Sequence, residues 1–182
     1  MRKFRMGTAI AAVGIAFGIL GIAVVPGASA KSNLAAGTIT FVNQNVTRCL
    51  GIPGNGKAGI YNCTYVKDQA WNVVGTLTSN HITWAQLQNN KGQCLGVEGA
   101  SVHEGARVVG ETCNGSDNSQ YWNNSRLNAV CGSGFTPVIN YASGYVLGVS
   151  RNRKANGSSV VIWPYQGKCN NQFWVAKVAL TT

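Results

Sequence analysis

Acidic side chains are scarce in this sequence. There are five in 182 residues, Asp68, Glu98, Glu104, Glu111 and Asp117, against 15 Lys and Arg. Glycoside hydrolysis needs two carboxylates held at fixed separation across one bond. Glu98 and Glu104 fall close together in the sequence, but nothing organises them into such a pair. Histidine is scarcer still, with only His81 and His103. His103 adjoins Glu104, yet successive residues of a strand point to opposite faces, and no Ser or Cys nucleophile motif accompanies them. No Cys-x-x-Cys pair occurs, which argues against a zinc site. No Gly-rich loop opens a helix, so no phosphate cradle is expected, and no aromatic-interleaved basic stripe marks a nucleic-acid binder. The sequence therefore predicts no catalytic residue, no metal, no cofactor and no nucleic-acid partner. Glu and Lys are sparse while Gly, Asn, Ser and Thr abound, which disfavours long helices.

Arg2, Lys3 and Arg5 precede an apolar stretch from Gly7 to Val25, and Ala28-Ser29-Ala30 follows Pro26-Gly27. This order predicts a secretory signal peptide over residues 1–30, cleaved before Lys31. The rival reading is a membrane anchor, because the apolar stretch is long enough to span. The Pro-Gly break and the small residues favour removal, after which no membrane span is expected. The remaining residues 31–182 suffice for one domain with a real core. All six cysteines lie there, and an even count in an exported, extracellular chain points to disulfides. Three of the 15 basic residues lie in the leader, leaving 12 against five acids, a net charge of +7. That balance suits an anionic surface such as a cell-wall polymer, or simply solubility.

Gln-x-Trp occurs three times, at Gln69-Ala70-Trp71, Gln120-Tyr121-Trp122 and Gln172-Phe173-Trp174. Matching segments precede each, Cys49-Leu50-Gly51-Ile52, Cys94-Leu95-Gly96-Val97 and Val146-Leu147-Gly148-Val149. A unit of about fifty residues is thus copied three times, with repeats over about 38–78, 79–129 and 130–177. One such unit cannot bury its own apolar face, but three can share a core. Runs such as Thr38–Val42 and Ser159–Trp163 are β-branched and aromatic, and Gly- and Asn-rich turns separate them. The prediction is an all-β chain, closed as a threefold barrel. Each repeat should begin with a strand ending at Asn43, Gln88 or Asn140. Trp71, Trp122 and Trp174 should meet near the axis with Leu50, Leu95 and Leu147 as partners. Repeat logic prefers Cys49 with Cys63 and Cys94 with Cys113, which leaves Cys131 with Cys169.

These residues resemble the ricin-type (R-type) β-trefoil lectins, over Thr38 to Ala176. The resemblance rests on the three Gln-x-Trp motifs, the Cys-Leu-x-Val segments and the intra-repeat cysteine pairs. It implies a β-trefoil with one shallow sugar pocket per repeat. In that family an aspartate after the Cys-Leu step accepts hydrogen bonds from sugar hydroxyls. An aromatic before the second cysteine underlies the sugar ring, and an asparagine precedes the Gln of Gln-x-Trp. Pyranoses have an apolar C–H face and a hydroxyl rim, so stacking and hydrogen bonding divide the work. Here glycine replaces the aspartate at Gly51, Gly96 and Gly148. Repeat two has Glu111 at the platform position and Ser119 at the amide position. Repeat one offers Tyr61, Asp68 and Gln69, and repeat three offers Trp163, Asn171 and Gln172. Each has a plainer reading as well: Trp163 before Pro164 as a strand end, Tyr61 as packing, Asn171 as a turn residue, the glutamines as backbone clasps, the glycines as close approaches. The expected function is carbohydrate binding, mainly through repeat three. The alternative is a trefoil with decayed sugar sites that acts on a protein partner as an inhibitor, toxin subunit or interaction module.

Overall fold

In the computed structural model the described residues are 37–124, 127 and 129–178. The leader assigned to residues 1–30 lies outside them. Thirteen strands run through the described residues: β1 (Ile39–Asn43), β2 (Cys49–Gly51), β3 (Gly59–Tyr61), β4 (Trp71–Ser79), β5 (Ile82–Asn89), β6 (Gln93–Val97), β7 (Val108–Thr112), β8 (Tyr121–Asn123), β9 (Thr136–Pro137), β10 (Ile139–Asn140), β11 (Val146–Val149), β12 (Ser158–Trp163) and β13 (Phe173–Val178). All pair antiparallel, and β1 runs alongside β13 from Ile39↔Val178 to Asn43↔Trp174. First and last strands of the domain are thereby joined, and such closure removes the free edges of a sheet. Three short hairpins, β2–β3, β6–β7 and β11–β12, cap the barrel. They touch one another through Ser158↔Ile60, Lys57↔Val109 and Arg107↔Val161. The architecture is an all-β trefoil, as the threefold repeat predicts. Among the described residues no helix is long and apolar enough to cross a membrane.

The Gln-x-Trp tryptophans build the centre. Trp71, Trp122 and Trp174 are at most 2% exposed and share one core with the fully buried Leu50, Leu95 and Leu147. Burying an indole strands its N–H unless an acceptor is near. Each repeat supplies one in the Leu carbonyl: Nε1 donates to Leu50 O at 3.4 Å, Leu95 O at 2.8 Å and Leu147 O at 2.9 Å. The Leu of Cys-Leu-Gly and the Trp of Gln-x-Trp are therefore one device, which explains why the two motifs recur together.

The expected strand end at Gln88 is corrected to Asn89. Asn43, Asn89 and Asn140 pair across the barrel with Trp174, Trp71 and Trp122, and all three are buried. Each Oδ1 accepts from the backbone of the turn that follows, from Asn45, Lys91 and Ser143 respectively. Counting back from Cys94 lands on Gln88 because the second turn is one residue shorter. Gly92 N–H reaches Asn89 O, three residues on, whereas Thr47 and Gly144 reach Asn43 O and Asn140 O over four.

The disulfides are Cys49–Cys63, Cys94–Cys113 and Cys131–Cys169, with Cα–Cα distances of 5.0, 5.0 and 5.7 Å. The first two tie a cap hairpin to the segment leaving it. The third joins the stretch before β9 to the loop between β12 and β13.

Candidate functional site

Strand register makes the three repeats directly comparable. Tyr61, Glu111 and Trp163 lie opposite Cys49, Cys94 and Val146. Next to each stands the glutamine of Gln-x-Trp, at most 2% exposed. Its amide clasps backbone: Gln69 accepts from Thr64 and Tyr65 N–H and donates to Asn62 O. Gln172 accepts from Gln166 N–H at 3.0 Å and donates to Pro164 O at 2.8 Å. Both glutamines thus form the floor under a site, with their amides already engaged.

In repeat one the space above that floor is filled. Gly51 and Gly59 face each other across β2 and β3, and the Tyr61 ring lies over both. A Cβ on Gly59 would stand 3.0 Å from Tyr61 Cε2 and Oη, and one on Gly51 would stand 3.2 Å from both Tyr61 Cδ2 and Asp68 Oδ2. Burial first, and the Asp68 carboxylate second, push the Tyr61 hydroxyl up from its ordinary pKa. Asp68 also faces Lys91, with Nζ and Oδ1 4.0 Å apart. Tyr61 and Asp68 do come together, and they occupy one another's pocket.

Repeat two is filled by its own carboxylate. A Cβ on Gly96 would lie 2.5 Å from Glu111 Oε2, which accepts from Gln120 Nε2 at 3.4 Å. Ser119 is 1% exposed. Burial, the largest cause, raises the Glu111 pKa, with Asp117 and Glu98 adding to it and the Gln120 hydrogen bond opposing. A carboxyl raised in the folded state is bound more weakly as an anion than in the unfolded chain. Its contribution therefore declines as pH climbs above its ordinary 4.5 and through the raised folded value. Glu111→Gln is expected to flatten that part of a stability–pH profile, measured by urea titration between pH 4 and pH 7. An unchanged slope would show that Glu111 titrates normally.

Repeat three is open. A Cβ on Gly148 would meet only Gln172 Cγ at 3.2 Å and the Asn171 Nδ2 and O atoms at 3.9 and 4.0 Å. Above it lies a cavity of about 480 Å³ whose lining includes Gly148, Trp163, Asn171 and Gln172, together with Gly105 and Arg151. Trp163 is 38% exposed, a large indole presented to solvent. Its benzo edge rests on Gly105, where a Cβ would come within 3.1 Å of Cζ3 and where φ is +77°. Only glycine meets both demands. Gly105 N–H donates to Ile162 O at 2.8 Å, which fixes the repeat-two loop beside the ring. Asn171 Nδ2 donates to Val149 O, leaving Oδ1 without a partner among the described residues. The arrangement can stack an apolar face on the indole and accept a hydrogen bond at Asn171. Among the described residues no carboxylate lines the cavity. Sequence reasoning brought together Trp163, Asn171 and Gln172 but missed Gly105, which arrives from another repeat. It did not single out Arg151 either. Repeat alignment held the signal, since Arg151 stands where repeats one and two have Gly54 and Gly99.

The model of the ricin-type β-trefoil lectin domain-like family matches residues 67–163. Among curated proteins no sequence matches. Among solved structures the chain is similar to a designed threefold-symmetric protein, ThreeFoil, with 24% identity and TM-score 0.66 over 79% of this chain and 99% of that one. It is similar to a ricin B-like lectin of Macrolepiota procera, solved with lactose, at 18% identity and TM-score 0.62 over 81% and 99%. An exo-β-1,3-galactanase of Clostridium thermocellum shares 18% identity and TM-score 0.68, but the likeness covers 80% of this chain and only 31% of the enzyme. At these identities the structures speak to the fold.

Proposed function

The chain belongs to the ricin-type β-trefoil lectin domain-like family, and on that footing we propose that it is a secreted carbohydrate-binding protein working through its third repeat. The observation that carries the reading is the open cavity at Gly148, with Trp163 as an exposed platform and Asn171 beside it. Three disulfides fit an oxidising compartment. The likeness to a lactose-bound lectin supports sugar as the ligand class. A hydrolase is disfavoured because the cavity lacks the two carboxylates that glycosidic cleavage needs, and the galactanase likeness spans under a third of that enzyme. Tyr61 and Asp68 would have to move before repeat one took a ligand, so the protein is read as monovalent.

The test is a glycan and polysaccharide array with the protein starting at Lys31, run beside Trp163→Ala. Removing an exposed stacking platform is expected to cost about tenfold or more in affinity, with little change in melting temperature. Binding that survives the substitution would move the site out of repeat three. A folded wild type that binds no glycan would favour the second reading, a trefoil acting on a protein. The filled pockets of repeats one and two are the observation that keeps that reading in view.

A further inference from the structure

Three positions after the pocket glycine, the repeats carry Gly54, Gly99 and Arg151. In repeats two and three this residue sits in a single 3₁₀ turn with left-handed backbone, at φ 63°, ψ 25° for Gly99 and φ 53°, ψ 27° for Arg151. Glycine adopts that conformation freely, whereas a side chain is disfavoured there. An outlier held against its preference points toward a use for the side chain. Arg151 lines the repeat-three cavity, is exposed, and makes no ion pair among the described residues. Gly148 lies in the same wall, and among the described residues no acid lines the space. The walls of the cavity thus carry a cation and no anion among the described residues.

We propose that the repeat-three cavity selects a pyranose bearing an anionic substituent, a carboxylate or a sulfate, with Arg151 as the charge-reading residue. This rests on the sugar-binding reading above and names its substrate class. The indole of Trp163 takes the apolar ring face. The guanidinium fork takes the anionic oxygens in a charge-assisted, bidentate geometry that suits either group. Being exposed, the pair is screened by salt, so its effect is largest at low ionic strength.

The experiment titrates the mature protein by intrinsic Trp fluorescence and calorimetry with methyl galactoside against methyl galacturonide, methyl glucoside against methyl glucuronide, and galactose against galactose 6-sulfate. The variants are Arg151→Gly and Arg151→Lys. Expected is a preference of about fivefold or more for the anionic member of at least one pair at low salt. That preference should disappear in Arg151→Gly and be partly kept in Arg151→Lys. Arg151→Gly installs the residue the other repeats use, so its melting temperature should equal or exceed that of the wild type. Its affinity for the anionic sugars should fall by more than its affinity for the neutral ones. Equal or tighter binding of the neutral members overturns the proposal while sugar binding stands. An anionic preference that persists in Arg151→Gly overturns the assignment to Arg151. No binding of any sugar overturns both this proposal and the reading it rests on.

Discussion

Trp122→Ala is expected to cost about 3–5 kcal/mol of folding stability, the range for large aromatic deletions in a core. Two losses combine. The indole is 2% exposed and packs into the shared core with Trp71 and Trp174, so its removal leaves a cavity at the barrel centre. It also takes away the 2.8 Å bond to Leu95 O, which strands a buried carbonyl. Trp122→Phe separates the two, since it keeps most of the packing but not the donor, and about 1–3 kcal/mol should be lost. For a domain of this size each kcal/mol lowers the melting temperature by about 2–4 °C, so calorimetry resolves both variants. Trp71→Ala should cost somewhat less on the polar side, because its bond to Leu50 O is longer, at 3.4 Å. A melt of Trp122→Ala that coincides with wild type would remove the tryptophans from the centre of the core.

The parts of this molecule legible in the sequence are those where one local motif satisfies itself. Gln-x-Trp and Cys-Leu-Gly recur because the Trp N–H needs the Leu carbonyl and the Gln amide needs its own loop's backbone. That dependence fixes residue type and spacing, so fold, core and cysteine pairs could all be read. The strand end at Asn89 escaped because a turn one residue shorter changes the spacing without changing the hydrogen-bond job. The pockets escaped for a different reason. Whether Gly51, Gly96 or Gly148 opens a cavity depends on where a neighbouring side chain comes to rest. Tyr61 lies across Gly51 and Gly59, Glu111 turns its carboxylate onto Gly96, and Trp163 is held off Gly148 by contact with Gly105 from another repeat. Three identical glycines thus lead to three outcomes, and the difference is tertiary.

That difference gives the same substitution three distinct results. Gly148→Asp is expected to raise affinity for neutral pyranoses by about tenfold or more, since a carboxylate accepting from sugar hydroxyls contributes about 1.5–3 kcal/mol. The site has room: the new Cβ meets Gln172 Cγ at 3.2 Å and is otherwise 3.9 Å or more from its neighbours, and the backbone there is not left-handed. The added anion sits in the cavity that Arg151 also lines, so any preference for acidic sugars should shrink as neutral binding grows. Gly51→Asp meets the Tyr61 ring and the Asp68 carboxylate at 3.2 Å each. Displacing the ring and opposing like charges should lower stability with no gain in binding. Gly96→Asp places its Cβ 2.5 Å from Glu111 Oε2, so the Glu111 side chain must swing away and two carboxylates must share one site. That variant should melt lower at pH 7 than at pH 5, where the pair can hold a proton. Fluorescence titration with methyl galactoside and melts at the two pH values compare all three. Equal gains in the three repeats, or none at Gly148, would mean that the cavity at Trp163 does not decide where this protein takes its ligand.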